Sequence, residues 1–147
     1  MDKRVEALSS PEDCAGFIKN ALRLGHPDLA QQARQRAVQL RALAFGAGSE
    51  AEREAIEAVY AYEAVLSERN GRKTRASRTW QMIKRHGIIH AVERAVGRSE
   101  ETAGYSALLE MGLERYAFEA VVLRHPDIFS KESVERSSQR AAEWQSA

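Results

Sequence analysis

Ser10-Pro-Glu-Asp-Cys-Ala-Gly-Phe-Ile-Lys-Asn-Ala-Leu-Arg-Leu-Gly-His-Pro-Asp28 is the stretch that decides the fold class. Ser10 is a strong N-cap, Pro11 suits the first helical position, and Glu12 and Asp13 complement the positive end of a helix dipole. Cys14, Phe17, Ile18, Ala21 and Leu22 recur at three- and four-residue steps and form one apolar stripe. Gly25 closes this helix. His26-Pro27-Asp28 opens a second one, whose stripe of Ala30, Ala33, Ala37, Leu40 and Ala44 is narrow and suits close packing. So short a link between two helices predicts an antiparallel αα-hairpin. No internal repeat period accompanies it, so an ordinary helix pair in a bundle is expected rather than a solenoid.

The same reading extends along the chain. Ser49 and Glu52 have capping-box spacing for a third helix that runs to about Glu68, with Ala55, Val59, Tyr62 and Leu66 on one face. Tyr60 and Tyr62 read as core and rim, and Glu50, Glu52, Glu54 and Glu57 as a solvated first-turn face. Asn70-Gly71 is a turn, with Asn70 able to close the preceding helix in a left-handed conformation. Thr74 or Ser77 then caps a fourth helix that stops at Gly87. At 100° per residue, Ala76, Thr79, Trp80 and Ile83 share its inner face, and Arg78, Gln81 and Arg85 share the outer one. Arg75 and Met82 lie on one flank of that outer face, and Lys84 on the other.

Ile88, Val92, Ala95 and Val96 mark a fifth helix, closed near Gly97. Ser99 is a candidate cap for a helix holding Tyr105, Leu108 and Leu109, ending at Gly112. Leu113 to Arg124 reads as one further helix, packing Leu113, Tyr116, Ala117, Ala120 and Val121. His125-Pro126-Asp127 repeats the tripeptide at 26–28, and Ile128 and Phe129 anchor the last segment. Segment 131–147 has few apolar residues and is expected as a loosely held helix or tail. Alternating strand patterns are absent. The expectation is an all-α protein of six or seven helices, one domain over residues 1–130, with a helix-turn-helix-like pair around Gly87.

Charge is unevenly placed. The 147 residues carry a net charge of +1. Residues 1–68 hold eight Lys/Arg against eleven Asp/Glu, net −3. Residues 69–98 hold nine against one, net +8, and residues 99–147 hold five against nine, net −4. From Arg69 to Val92 there are seven basic residues and no acid. A basic block between acidic flanks gives the molecule a directional field. Either it pairs with those flanks inside the fold or it meets a polyanion. Weak surface ion pairs seldom demand such blocks, which favours the polyanion.

The expected function is therefore nucleic-acid binding, with double-stranded DNA ahead of RNA, through the basic loop and helix at 69–86. Arg72, Lys73, Arg75, Arg78, Gln81, Lys84 and Arg85 are the candidate contacts. Arg and Gln side chains on a helix suit phosphates and base edges in a major groove, which A-form RNA makes too narrow to read. In the standard helix-turn-helix, however, the second helix enters the groove. Here the second helix offers only His90, Glu93, Arg94 and Arg98. Trp80 is expected as core rather than as a base-stacking platform. The competing expectation is a helical interaction module whose basic strip docks an acidic partner or its own acidic tail; the acidic C-terminal third of another protomer could also meet it, giving a homo-oligomer. An accessory subunit of a nucleic-acid enzyme is a third.

Other chemistries find little support. Gly46-Ala-Gly48 lacks a preceding strand and a third glycine, so no nucleotide-binding loop is read there, and no cofactor is expected. His86 and His90 are four apart, but Gly87 separates them and no Glu follows His86, so no metal is expected. No nucleophile–base pairing or bracketed carboxylate pair is visible, and the chain is not read as an enzyme. No stretch approaches the length of a membrane span. Cys14 is the lone cysteine, and a cytoplasmic setting is the default expectation.

Overall fold

A computed structural model describes residues 1–98 and 103–146, and among them there are helices and no strand. Helix α1 is Lys3–Glu6, α2 Pro11–Arg23, α3 Pro27–Phe45, α4 Glu50–Asn70, α5 Ser77–His86, α6 Ile88–Gly97, α7 Ala103–Glu110, α8 Phe118–Arg124 and α9 Lys131–Ser146. A 3-10 turn occupies Glu114–Tyr116. The all-α expectation holds. The helices outnumber the six or seven expected because Asp2 caps the short α1 and because the expected Leu113–Arg124 helix is broken. Ala117 adopts an extended conformation, φ −59° and ψ 145°, between the 3-10 turn and α8. The expected Ser99 cap lies outside the described residues.

The opening hairpin forms as its signals dictate. The Ser10 hydroxyl accepts the Asp13 N–H at 3.1 Å, and α2 packs along α3. Its stripe is only partly buried: Cys14 and Ala21 are enclosed, but Leu22 is 48% exposed. Helix α2 packs closely against α3 alone among the described helices, so the part of its stripe turned away from α3 has no cover. In α3 the buried positions are Leu29, Ala30, Ala33, Val38 and Ala42, while Ala44 is exposed.

Helix α4 is the centre of the molecule. The Ser49 hydroxyl accepts the Glu52 N–H at 3.2 Å and so starts the helix as expected. Helices α3, α6, α7 and α8 all pack on it. Ala51, Ala55, Ala58 and Ala61 let those neighbours approach from several sides, so burial spreads beyond the single expected face to Ile56 and Val65. Ala61 and Val65 join Val38, Leu108, Leu113, Tyr116 and Ala117 in one apolar cluster. Ala55 and Ala58 join Val92, Val96, Val121, Val122 and Phe129 in another. Of the expected face, Tyr62 is exposed and Leu66 half-buried.

The acidic first turns of α4 are only in part the solvated face expected: Glu50 is exposed, but Glu54 and Glu57 are engaged. Glu57 is 5% exposed and pairs with Arg53 at 2.8 Å. Glu54 pairs with Arg124 at 2.6 Å and His125 at 3.1 Å, tying α4 to the end of α8. Burial pushes the Glu57 carboxyl above its ordinary range, with only partial relief from Arg53. Burial works the same way on Glu54, but hydrogen bonds from Arg124 and His125 outweigh it and hold that carboxyl low.

Segment 131–146 is also more engaged than its composition suggested. Helix α9 packs on α6 and α8. Ser130 caps it, accepting the Ser133 N–H at 3.1 Å, while Glu93 of α6 accepts the Ser130 N–H. Ser133 and Ser137 are buried in the interface, where small side chains allow close approach. Arg140 pairs with Glu119 of α8 at 2.7 Å, and Trp144 stacks on Tyr105 with ring centroids 4.0 Å apart.

Candidate nucleic-acid interface

The site begins where α4 ends. Gly71, not Asn70, takes the left-handed conformation, with φ 68°, and its position lets the Arg72 N–H reach the Ser67 carbonyl at 3.2 Å. Asn70 stays helical, and its side-chain amide donates to the Thr74 hydroxyl at 3.1 Å. Ser67 accepts the Thr74 N–H at 2.8 Å, and the Thr74 hydroxyl donates to the Arg72 carbonyl at 3.0 Å. Loop 71–76 is thus pinned from beneath through Thr74, and its charged side chains point outward. Arg72, Lys73 and Arg75 are all exposed.

Neither Thr74 nor Ser77 caps α5. The N-cap position is Ala76, and no side chain of its own caps the helix. Glu63 of α4 takes over part of that work. One of its oxygens, Oε2, accepts the Ala76 N–H at 2.8 Å and the Trp80 indole N–H at 2.6 Å. This carboxylate holds the start of α5 and its one large aromatic against α4. Trp80 sits between Phe45, at 5.8 Å, and Tyr60, at 5.3 Å, and the Arg75 guanidinium lies 5.6 Å from its ring. The ring is half-buried. It anchors α5 as expected, though at the edge of the fold rather than deep inside it.

The α5 wheel agrees with its sequence reading. Ala76 is buried, and Thr79, Trp80, Met82 and Ile83 are half-buried. Arg78, Gln81, Lys84 and Arg85 are exposed. Among the described residues, Arg72, Lys73, Arg78, Lys84 and Arg85 make no ion pair with any acid. Arg75 makes only a 3.7 Å contact with Glu63, with most of its side chain in solvent. Among the described residues, intramolecular pairing therefore does not account for these cations.

Gly87 joins α5 to α6 with φ 85° and ψ 165°, a region open essentially to glycine alone. This single residue is a tighter connector than the three or four of a helix-turn-helix. The roles are also inverted, because α6 is the buried member, through Ala91, Val92 and Val96, and α5 the outer one. Helix α6 still lends charge. Arg94 is exposed, and Arg98 crosses to Met82 of α5, its guanidinium 3.6 Å from the sulfur. The rings of His86 and His90 stand 5.6 Å apart. Local desolvation, then the positive neighbours Arg94, His90 and Arg85, hold His86 below the ordinary histidine value of 6.5. Among the described residues no group of three or more His, Cys, Asp or Glu is placed to hold a metal.

The sequence reading missed the other side of the loop. Gly71 to Arg75 form one wall of a groove of about 740 Å³ that lies between α2 and α4, over α3. Lys19, Arg34 and Arg41 border it from the hairpin, and Glu63 and Glu68 from α4. These cations are scattered over residues 19 to 41 and form no run, so only the packing of α2, α3 and α4 brings them to the loop. Comparison of the chain with protein-family models, with curated proteins and with solved structures finds no significant match in any of the three.

Proposed function

We propose that this chain binds nucleic acid, double-stranded DNA first, through loop 71–76 and the outer face of α5. The observation that carries the reading is the set of exposed cations, all but Arg75 without an acidic partner among the described residues, held on a loop and helix whose inner sides are pinned by Thr74, Glu63 and Trp80. Clustered like charges repel one another, and a row of phosphates relieves that repulsion while releasing counterions. Arg72, Lys73, Arg75 and Lys84 are assigned to phosphates. Arg78, Gln81 and Arg85 are assigned to base edges. Arg78 and Arg85 are about 10 Å apart along the axis at 1.5 Å per residue, with Gln81 between them on the same face. A helix with its side chains is about 10–12 Å across, which fits a major groove about 12 Å wide. The role is binding rather than catalysis, and we assign it to a cytoplasmic protein on the strength of the lone buried Cys14.

The test is charge reversal. Arg78→Glu with Arg85→Glu alters two exposed side chains and leaves the inner face of α5 untouched. Duplex affinity falls by about 1–3 kcal/mol or more for each lost base-edge arginine and discrimination between duplex sequences relaxes, while the helical circular-dichroism signal stays. Unchanged duplex binding removes the reading.

A further inference from the structure

We propose that the groove between α2 and α4 docks an acidic amphipathic helix of a partner protein. Its shape comes first. Ala15, Ile18 and Leu22 line it from α2 at the three- and four-residue steps of one helix face, Val38 from α3, and Tyr60 and Ala64 from α4. Leu22 is 48% exposed at this place, an apolar wall facing solvent. Two helix walls over a helical floor form the receptor for a helix that presents its own anchors at i, i+3, i+4 and i+7.

Charge then selects the partner. Lys19, Arg34 and Arg41 on the hairpin side and Arg72, Lys73 and Arg75 on the loop side border the groove, against Glu63 and Glu68. Glu63 is already engaged by Ala76 and Trp80. The border is therefore strongly positive over an apolar bed, the complement of a helix with an apolar face and acidic flanks. A phosphate backbone matches the border but not the bed, since it gains nothing from covering Leu22 and Ile18.

The loop belongs to both surfaces. Arg72, Lys73 and Arg75 line the groove and are also assigned to phosphates, so a docked acidic helix withdraws cations from the nucleic acid. This competition rests on the nucleic-acid reading; the docking itself does not.

The experiment uses the full chain and a fluorescein-labelled peptide of about four helical turns, with leucines on one face and glutamates on both flanks. A scrambled peptide of identical composition and a lysine-for-glutamate version serve as controls. Fluorescence anisotropy is expected to show saturable binding of the acidic amphipathic peptide, with both controls weaker by about tenfold or more, the effect of losing one or two central anchors. Leu22→Glu and Arg34→Glu should each weaken it by about the same factor. Leu22 already faces solvent, so that variant keeps the fold intact. Equal binding of the scrambled peptide, no loss in Leu22→Glu, or no saturable binding overturns the proposal. So does saturation of the groove by dodecanoate in the absence of peptide binding, which would assign it to a small amphiphile. Direct peptide binding decides the docking, and displacement of duplex DNA by the peptide decides only the competition.

Discussion

Removing Glu63 tests whether one carboxylate of α4 positions the whole basic helix. Its Oε2 accepts two N–H groups, from Ala76 at 2.8 Å and from the Trp80 indole at 2.6 Å, and its side chain is 15% exposed. Hydrogen bonds to a charged acceptor contribute about 1.5–3 kcal/mol each, so Glu63→Ala costs about 3 kcal/mol or somewhat more. Little else offsets the loss, because no residue within α5 itself is fully buried. Spent locally, about 3 kcal/mol speeds amide exchange in α5 roughly 100-fold, at 1.4 kcal/mol per tenfold. Spent globally, it lowers Tm by about 6–12 °C for a chain of this size. Hydrogen exchange resolved to Ser77–His86, with Trp80 fluorescence and a thermal melt, separates the two. Duplex affinity sharpens the test. Charge alone predicts tighter binding, because an acid next to Arg75 is gone. Loss of a docked α5 predicts weaker binding, because ordering the helix must then be done by the ligand. Unaltered protection of α5 together with an unaltered melt would refute the positioning role.

Three further outcomes rest on the geometry. Arg140→Ala leaves Glu119 buried without its partner, in a pair whose side chains are 11% and 12% exposed; such a break costs about 3 kcal/mol and should show as a lower thermal midpoint, whereas an unchanged midpoint would mean that α9 adds little to the fold. The Glu54 carboxyl is held below its ordinary value of 4.5 in the fold, so its stabilising effect is present above that pH and lost as pH falls through the lower folded value; in acid titrations followed by circular dichroism, Glu54→Gln should flatten the acid limb, and an identical limb would contradict the pairing with Arg124 and His125. His86 is held below 6.5 by desolvation and positive neighbours. The negative potential of a bound duplex raises it again, so binding takes up a proton and tightens as pH falls toward the lowered value of the free protein; His86→Gln should weaken that pH dependence, and its full persistence would place the proton elsewhere.

Many of the helix boundaries were legible because their causes are local, whereas the short α1 and the break at Ala117 were not. Ser10 with Pro11, Ser49 with Glu52, and the glycines at 25, 71, 87 and 112 each act within a few residues of themselves. The outer face of α5 was legible for the same reason, since a wheel needs only the helix. What escaped depends on partners distant in sequence. Glu54 and Glu57 read as solvent-facing because nothing near them in the chain announces Arg124, His125 or the cover over α4. Thr74 and Ser77 were plausible caps, yet the carboxylate at the start of α5 comes from Glu63, more than ten residues upstream on another helix. The tail looked loose because its apolar residues are few. Ser133 and Ser137 nonetheless pack closely, and Arg140 and Trp144 find Glu119 and Tyr105. The groove was invisible because Lys19, Arg34 and Arg41 meet the loop only after α2, α3 and α4 have packed.

The most direct test of the nucleic-acid reading is fluorescence anisotropy of labelled duplex DNA, single-stranded DNA and RNA titrated with the protein across a salt series. The account predicts that duplex DNA binds tightest and that its affinity falls with a log–log slope of about −4, the value for four or five neutralised phosphates. It further predicts that a doubly reversed Arg72→Glu, Lys73→Glu chain loses about two units of that slope. A preference for RNA or single strands would move the ligand off the duplex while keeping the surface. No binding of any of the three at low salt would contradict the account at its centre.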